Sequence, residues 1–219
     1  TMPRILVVHA GLMGHTERMA EVLAAGAREA GAEVFVMTAD AATAAQVRWA
    51  DALAIGAAVH MGGPDWRARR FIEEAVGPLW LTDELVGKVG AVFTTGGGFG
   101  SNGAGCEMTQ LALLGALAES GMVLLPFPKC TPGAQLADAH WGPNGRTGGP
   151  YMEPGDFDPA VLEAARAHGA NLARVAAALA GRTDLFARGV QAPSGELLGH
   201  YKAAFSAARP ERPNPEAAR

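Results

Sequence analysis

Residues 5–16, Ile5-Leu6-Val7-Val8-His9-Ala10-Gly11-Leu12-Met13-Gly14-His15-Thr16, pass from an apolar run through a glycine-bearing turn into a helical pattern. Four consecutive aliphatic residues suit a strand covered on both faces rather than one that alternates between core and water. Met19, Val22, Leu23 and Ala27 follow at helical spacing over residues 16–30, and Gly31 is placed to end that helix.

The same unit recurs along the chain. Val34-Phe35-Val36-Met37, Ala52-Leu53-Ala54-Ile55, residues 89–93 and Met122-Val123-Leu124-Leu125 are further apolar runs. Helical patterns over residues 44–50, 107–119 and 159–180 separate or follow them, the last with Asp158 as N-cap and Pro159 at the first helical position. Pro64 predicts the first turn of another helix, with Trp66, Phe71, Ile72 and Val76 on one broad face. Pro126 and Pro128 stop the fifth run, and residues 129–158 read as a long loop without a period. Strands alternating with amphipathic helices predict an α/β fold: a doubly wound, five-stranded parallel sheet of order 2-1-3-4-5 in a three-layer αβα arrangement. The alternation ends near residue 182. Residues 183–219 read as an extension, with a short helix marked by Leu197, Leu198, Tyr201 and Phe205 before a proline-bearing end.

The chain has 219 residues, 49% of them hydrophobic and 18% charged, which predicts a globular core rather than disorder. Its net charge of -4 and scattered arginines argue against a nucleic-acid surface, and the Arg67, Arg69, Arg70 cluster reads as a solvated helix face. No apolar run approaches the roughly 18 residues of a membrane span. The opening residues enter a strand without a leader pattern, and Cys106 and Cys130 form no close pair, so a reduced, cytoplasmic setting is expected. His9, His15, His60, His140, His168 and His200 lack metal-ligand spacing, and Ser101, Ser120 and Ser194 lie in no nucleophile elbow.

In an open sheet of this order, ligands bind beyond the carboxyl ends of the strands at the switch point. The turns after the first, third and fourth runs are therefore the candidate site. Gly11, Leu12, Met13, Gly14, His15 and Thr16 form the first; backbone N–H groups at the start of a helix favour a phosphate there. The pattern is neither a dinucleotide fingerprint nor a P-loop, so an NTPase is not expected. Val59, His60 and Met61 lead into Gly62-Gly63, where the backbone can approach a flat ligand closely. Thr95, Gly96, Gly97 and Gly98 open a glycine-dense third turn whose chain entropy a bound ligand would offset. Taken together the turns suit a planar, phosphorylated cofactor.

These residues give the chain its resemblance to the WrbA-like NAD(P)H:quinone oxidoreductases, multimeric relatives of flavodoxin. The match rests on residues 11–16 followed by Glu17 and Met19, on residues 56–71, on Gly77-Pro78-Leu79-Trp80 through Gly87-Lys88, on Phe93-Thr94-Thr95-Gly96, and on Gly121-Met122-Val123 leading to Pro126. The resemblance implies a flavodoxin-like fold, bound FMN, NAD(P)H as electron donor, a quinone-like acceptor and a homo-oligomer, dimer or tetramer. By position, residues 11–16 would hold the FMN phosphate. Val59, His60 and Met61 would line the ring, and residues 95–98 would face it. Trp80, with Met13 and Met61, would wall the acceptor pocket, Trp80 coming from a neighbouring subunit. Ser120 stands where the family has a histidine near the flavin, and Gly11 where it has a hydroxyl. Two other readings of the same residues are a flavodoxin-type electron carrier and a flavin-free binding module.

Overall fold

The computed structural model describes residues 2–97, 105–137, 140–149, 151, 153–182, 184–187 and 195–207. The chain divides into two compact units, Thr1–Ala187 and Arg188–Arg219. In the second, α7 (Gly195–Ala207) occupies the stretch read as a short helix.

The first unit is built on β1 (Arg4–Ala10), β2 (Glu33–Thr38), β3 (Ala52–His60) and β5 (Val89–Gly96), all parallel, in the order β2-β1-β3-β5. Its strands are apolar on both faces because both faces are covered. Ile5 and Val7 of β1 face α1 (His15–Glu29) and α6 (Pro159–Leu179), where they meet Leu23 and Leu172. Leu6 and Val8 face the other way, into a cluster with Leu79 and Leu117. That second layer holds α2 (Ala44–Trp49), α3 (Trp66–Phe71), α4 (Gly77–Trp80) and α5 (Cys106–Glu119). Helices α1 and α6 cross closely at two glycines. A Cβ at Gly26 would meet the Arg166 carbonyl oxygen at 1.9 Å, and one at Gly169 the Leu23 carbonyl oxygen at 1.9 Å.

The fifth position of the sheet differs from the expected continuous strand. Residues 122–125 supply only β6 (Val123–Leu124), paired with Val89 and Gly90. Pro126 and Pro128 cannot donate to the ladder, and the chain leaves the sheet there. It returns as β7 (Asn144–Arg146) beside Thr94, Thr95 and Gly96, so two short strands share one edge of β5. The stretch read as an unstructured loop thus contains a strand and a 3-10 turn (Ala134–Leu136). Gly142 makes the return possible, since a Cβ there would lie 1.9 Å from the Val92 carbonyl oxygen.

Pro64 is not in a helix. It lies in β4 (Gly63–Pro64), antiparallel to Val59 and His60, and Asp65 caps α3 instead. Trp66 points outward and is 63% exposed, whereas Phe71, Ile72 and Val76 are buried. A π-turn (Ile72–Val76) joins α3 to α4, and Pro78, which lacks an N–H, follows immediately. Lys88 closes the end of α2, its Nζ donating to the carbonyl oxygens of Arg48 at 2.7 Å and Ala50 at 2.5 Å. This gives the Gly87-Lys88 pair a structural role. Gly87 takes a left-handed conformation (φ 87°), and Lys88 satisfies carbonyls that a helix end leaves free.

Candidate functional site

The pairing registers bring the expected turns together. Ala10 lies opposite Ala57, and Ala58 opposite Thr95, so β1, β3 and β5 end side by side. At the first turn Gly14 (φ 81°) precedes α1, and no side chain caps the helix. The leading N–H groups of α1 are thus left for a ligand or water. Thr16 is buried, and its Oγ1 lies 2.7 Å from Thr95 Oγ1, tying the turn after β1 to the end of β5. That contact also dictates glycine at position 11, where a Cβ would meet Thr16 Oγ1 at 2.4 Å. Leu12 and Met13 are exposed.

Met61 and Gly62 form the two-residue turn of the β3–β4 hairpin, both with positive φ (51° and 78°), as a type I′ turn requires. Met61 is thereby fully exposed at the tip. The hairpin leans on the start of α5, where a Cβ at Gly105 (φ 98°) would meet Gly62 Cα at 2.7 Å. Val59 packs toward β5, its Cβ 3.3 Å from where a Gly96 Cβ would be. The carboxyl half of β5 is held by a buried network. Gln110 Nε2 donates to Thr94 Oγ1 (3.1 Å) and to the Gly142 carbonyl (2.8 Å), and Thr94 Oγ1 donates to Asn144 Oδ1 (2.9 Å).

Sequence reasoning missed the group behind His60. Asp65 is wholly buried and receives Arg67 through its backbone N–H (3.0 Å), Nε (2.9 Å) and Nη2 (2.6 Å). His60 Nδ1 stands 3.3 Å from Asp65 Oδ2. Burial opposes ionisation of Asp65, yet the Arg67 hydrogen bonds and charge hold its carboxyl below the usual range. Of the arginine cluster read as solvated, Arg69 and Arg70 do form surface pairs with Glu73 and Glu74, and Arg67 alone folds back. The available signal was Asp65 directly before a helix with Arg67 two residues on.

Two expected site residues lie elsewhere. Ser120 ends α5 at the amino edge of the sheet, next to the Gly87–Gly121 backbone bond, and its Oγ donates to the Ala116 carbonyl. Trp80, 41% exposed, ends the helix that returns to that edge. Within one chain neither reaches the turns after β1, β3 and β5. Gly98 lies outside the described residues. Gly96 ends β5, beside Val59 of the hairpin, and Gly97 follows it.

The uncapped backbone N–H groups at the start of α1 and the exposed hairpin tip fit a phosphorylated planar cofactor such as FMN. Among the described residues, no group of three or more His, Cys, Asp and Glu side chains is placed to hold a metal ion.

Fold and site together define a flavodoxin-class α/β protein, and the flavodoxin-domain family matches residues 6–99. The chain is 36% identical over 124 residues to a flavodoxin from Aquifex aeolicus, which covers 56% of this chain and 64% of that one. It is 33% identical over 205 residues to an NAD(P)H dehydrogenase (quinone) from Sinorhizobium fredii, covering 82% of this chain and 100% of that one. The crystal structure of a WrbA-like flavodoxin from Agrobacterium tumefaciens superposes with a TM-score of 0.61 at 26% identity, covering 82% of this chain and 99% of that one. The chain belongs to the NAD(P)H dehydrogenase (quinone) family of oxidoreductases, on the flavodoxin-like fold.

Proposed function

We propose that the protein is an FMN-dependent oxidoreductase that passes two electrons from NAD(P)H to a quinone-like acceptor. The observation that carries this reading is the meeting of the ends of β1, β3 and β5, fastened by the Thr16–Thr95 hydroxyl contact, at the carboxyl edge of the sheet. When bound, FMN supplies the redox chemistry. The chain's part is to hold the phosphate on the start of α1, to present the backbone of residues 59–61 and 95–97 to the ring, and to leave Met61 and Met13 at the mouth for an apolar acceptor. The names of the family relatives support both the donor and the acceptor class.

Trp80 and Ser120 lie at the opposite edge of the sheet, so a Trp80 that walls the acceptor pocket comes from a second copy. On that reading the protein works as a homo-oligomer, dimer or tetramer. The test is steady-state oxidation of NADH and NADPH with a soluble benzoquinone, on protein loaded with FMN. Acceptor-dependent turnover supports the reading. A flavin-loaded protein that turns over neither nucleotide is an electron carrier instead.

A further inference from the structure

His60 closes β3 and pairs with Gly63 across the hairpin turn. Its side chain is 40% exposed, yet its Nδ1 stands 3.3 Å from Oδ2 of Asp65, a carboxylate with no exposure at all. That carboxylate is held from two directions in the sequence. The Asp65 N–H donates to the Ala58 carbonyl at 2.9 Å, which pins the residue to β3. Of the Arg67 donors, the backbone N–H and Nε go to Oδ1, and Nη2 alone goes to Oδ2. Each carboxylate oxygen accepts about two hydrogen bonds, so Oδ2 has room for one more, on the side of the His60 ring.

A carboxylate behind Nδ1 keeps a hydrogen on that nitrogen and fixes the orientation of the ring. The proton that the ring can exchange is then the one on Nε2, across the ring, which has no hydrogen-bond partner among the described residues. Burial opposes ionisation of Asp65, but the hydrogen bonds from Arg67 outweigh it, so the carboxylate is charged at neutral pH. The pair sits on a strand end and a tight hairpin, where a side chain is positioned more firmly than in an open loop. Two residues before His60, Ala58 lies opposite Thr95, so the ring stands where β3 and β5 end together. Met61, fully exposed, is its neighbour at the mouth.

We propose that His60 is the proton donor to the electron acceptor, with Asp65 as its positioning residue. The assignment rests on the proposed reaction and deepens it. Reduction of a quinone to a hydroquinone takes two electrons and two protons. NAD(P)H supplies both electrons and one proton, as a hydride, and the second proton comes from elsewhere. In the proposed step the Nε2–H bond of the His60 imidazolium breaks as an O–H bond forms on a quinone oxygen. The neutral ring keeps its Nδ1–H toward Asp65, and Nε2 regains a proton from water.

The test compares two acceptors on flavin-loaded protein: a soluble benzoquinone, which takes up protons with its electrons, and ferricyanide, which takes up electrons alone. His60→Gln is expected to lower kcat with benzoquinone by roughly hundredfold or more, and to lower it far less with ferricyanide. A second readout requires neither flavin nor turnover. It is the nitrogen NMR spectrum of the His60 ring in flavin-free protein at alkaline pH, assigned by its loss in His60→Gln. The expected tautomer is the one protonated on Nδ1, the reverse of the form that free histidine favours. Equal losses with the two acceptors, or a ring protonated on Nε2, overturn the assignment. Unaltered protein that shows the Nδ1 tautomer and reduces ferricyanide but not benzoquinone would uphold the His60–Asp65 pair and overturn the proposed acceptor instead.

Discussion

Thr16 Oγ1 and Thr95 Oγ1 lie 2.7 Å apart, and each residue is only 2% exposed. The contact spans 79 positions of sequence and joins the turn that begins α1 to the strand end that opens the third turn. Replacing either residue by valine leaves the other hydroxyl buried without this partner, which costs about 1–3 kcal/mol. The double substitution Thr16→Val with Thr95→Val is expected to cost less than the sum of the two, because no orphan remains. Urea unfolding of the four proteins checks this; strict additivity would show that the hydroxyls act independently.

Asp65 and Arg67 make a stronger demand. Asp65 is completely buried and Arg67 covers it from three donors. Removing the guanidinium in Arg67→Met leaves a buried charge without its main partner, a loss of about 3–5 kcal/mol for pairs of this kind. Replacing both residues, as Asp65→Asn with Arg67→Met, is expected to recover part of the loss. Chemical denaturation reads both results.

His168 of α6 is wholly buried, packs edge-on against Phe127 at 5.4 Å between ring centroids, and finds no hydrogen-bond partner for either ring nitrogen among the described residues. Burial lowers its pKa from 6.5 to about 4. The imidazole is therefore neutral when folded and takes up a proton more readily when unfolded. Its contribution to stability is complete above pH 6.5 and falls as the pH drops toward 4, by about 3 kcal/mol across that window. Unfolding measured at pH 7 and pH 4.5 should show the loss in the native protein and a smaller loss in His168→Leu.

The crossing of α1 and α6 tolerates no side chain at Gly26 or Gly169, because a Cβ at either would meet a backbone carbonyl oxygen of the other helix at 1.9 Å. Gly169→Ala gains helix propensity yet is expected to lower stability by about 1–3 kcal/mol through overpacking. Gly115, also within a helix but with open space around it, is the control: Gly115→Ala should stabilise by about 0.5–1 kcal/mol. Thermal melts that move both variants the same way would contradict the packing account.

The central strands were legible because burial on both faces leaves an uninterrupted apolar run, as in Ile5-Leu6-Val7-Val8. Strand β7 was not, since Asn144, Gly145 and Arg146 carry no apolar signal. Their place beside β5 is set by long-range contacts, chiefly Gln110 with Thr94 and Gly142 with Val92. The glycine turns marked the candidate site by residue type alone. Arg67 stayed hidden among neighbouring arginines, because only its tertiary contact with Asp65 separates it from them. The remoteness of Ser120 and Trp80 followed from element order, for a helix leaving the carboxyl edge of a parallel sheet must end at the amino edge.

The turns after β1, β3 and β5 have one decisive test: titration of FMN fluorescence with the flavin-free protein, repeated with riboflavin. The account predicts quenching that saturates at one FMN per chain, and much weaker binding of riboflavin, which lacks the phosphate for residues 11–16. Unquenched FMN, or equal affinity for the two flavins, would contradict it.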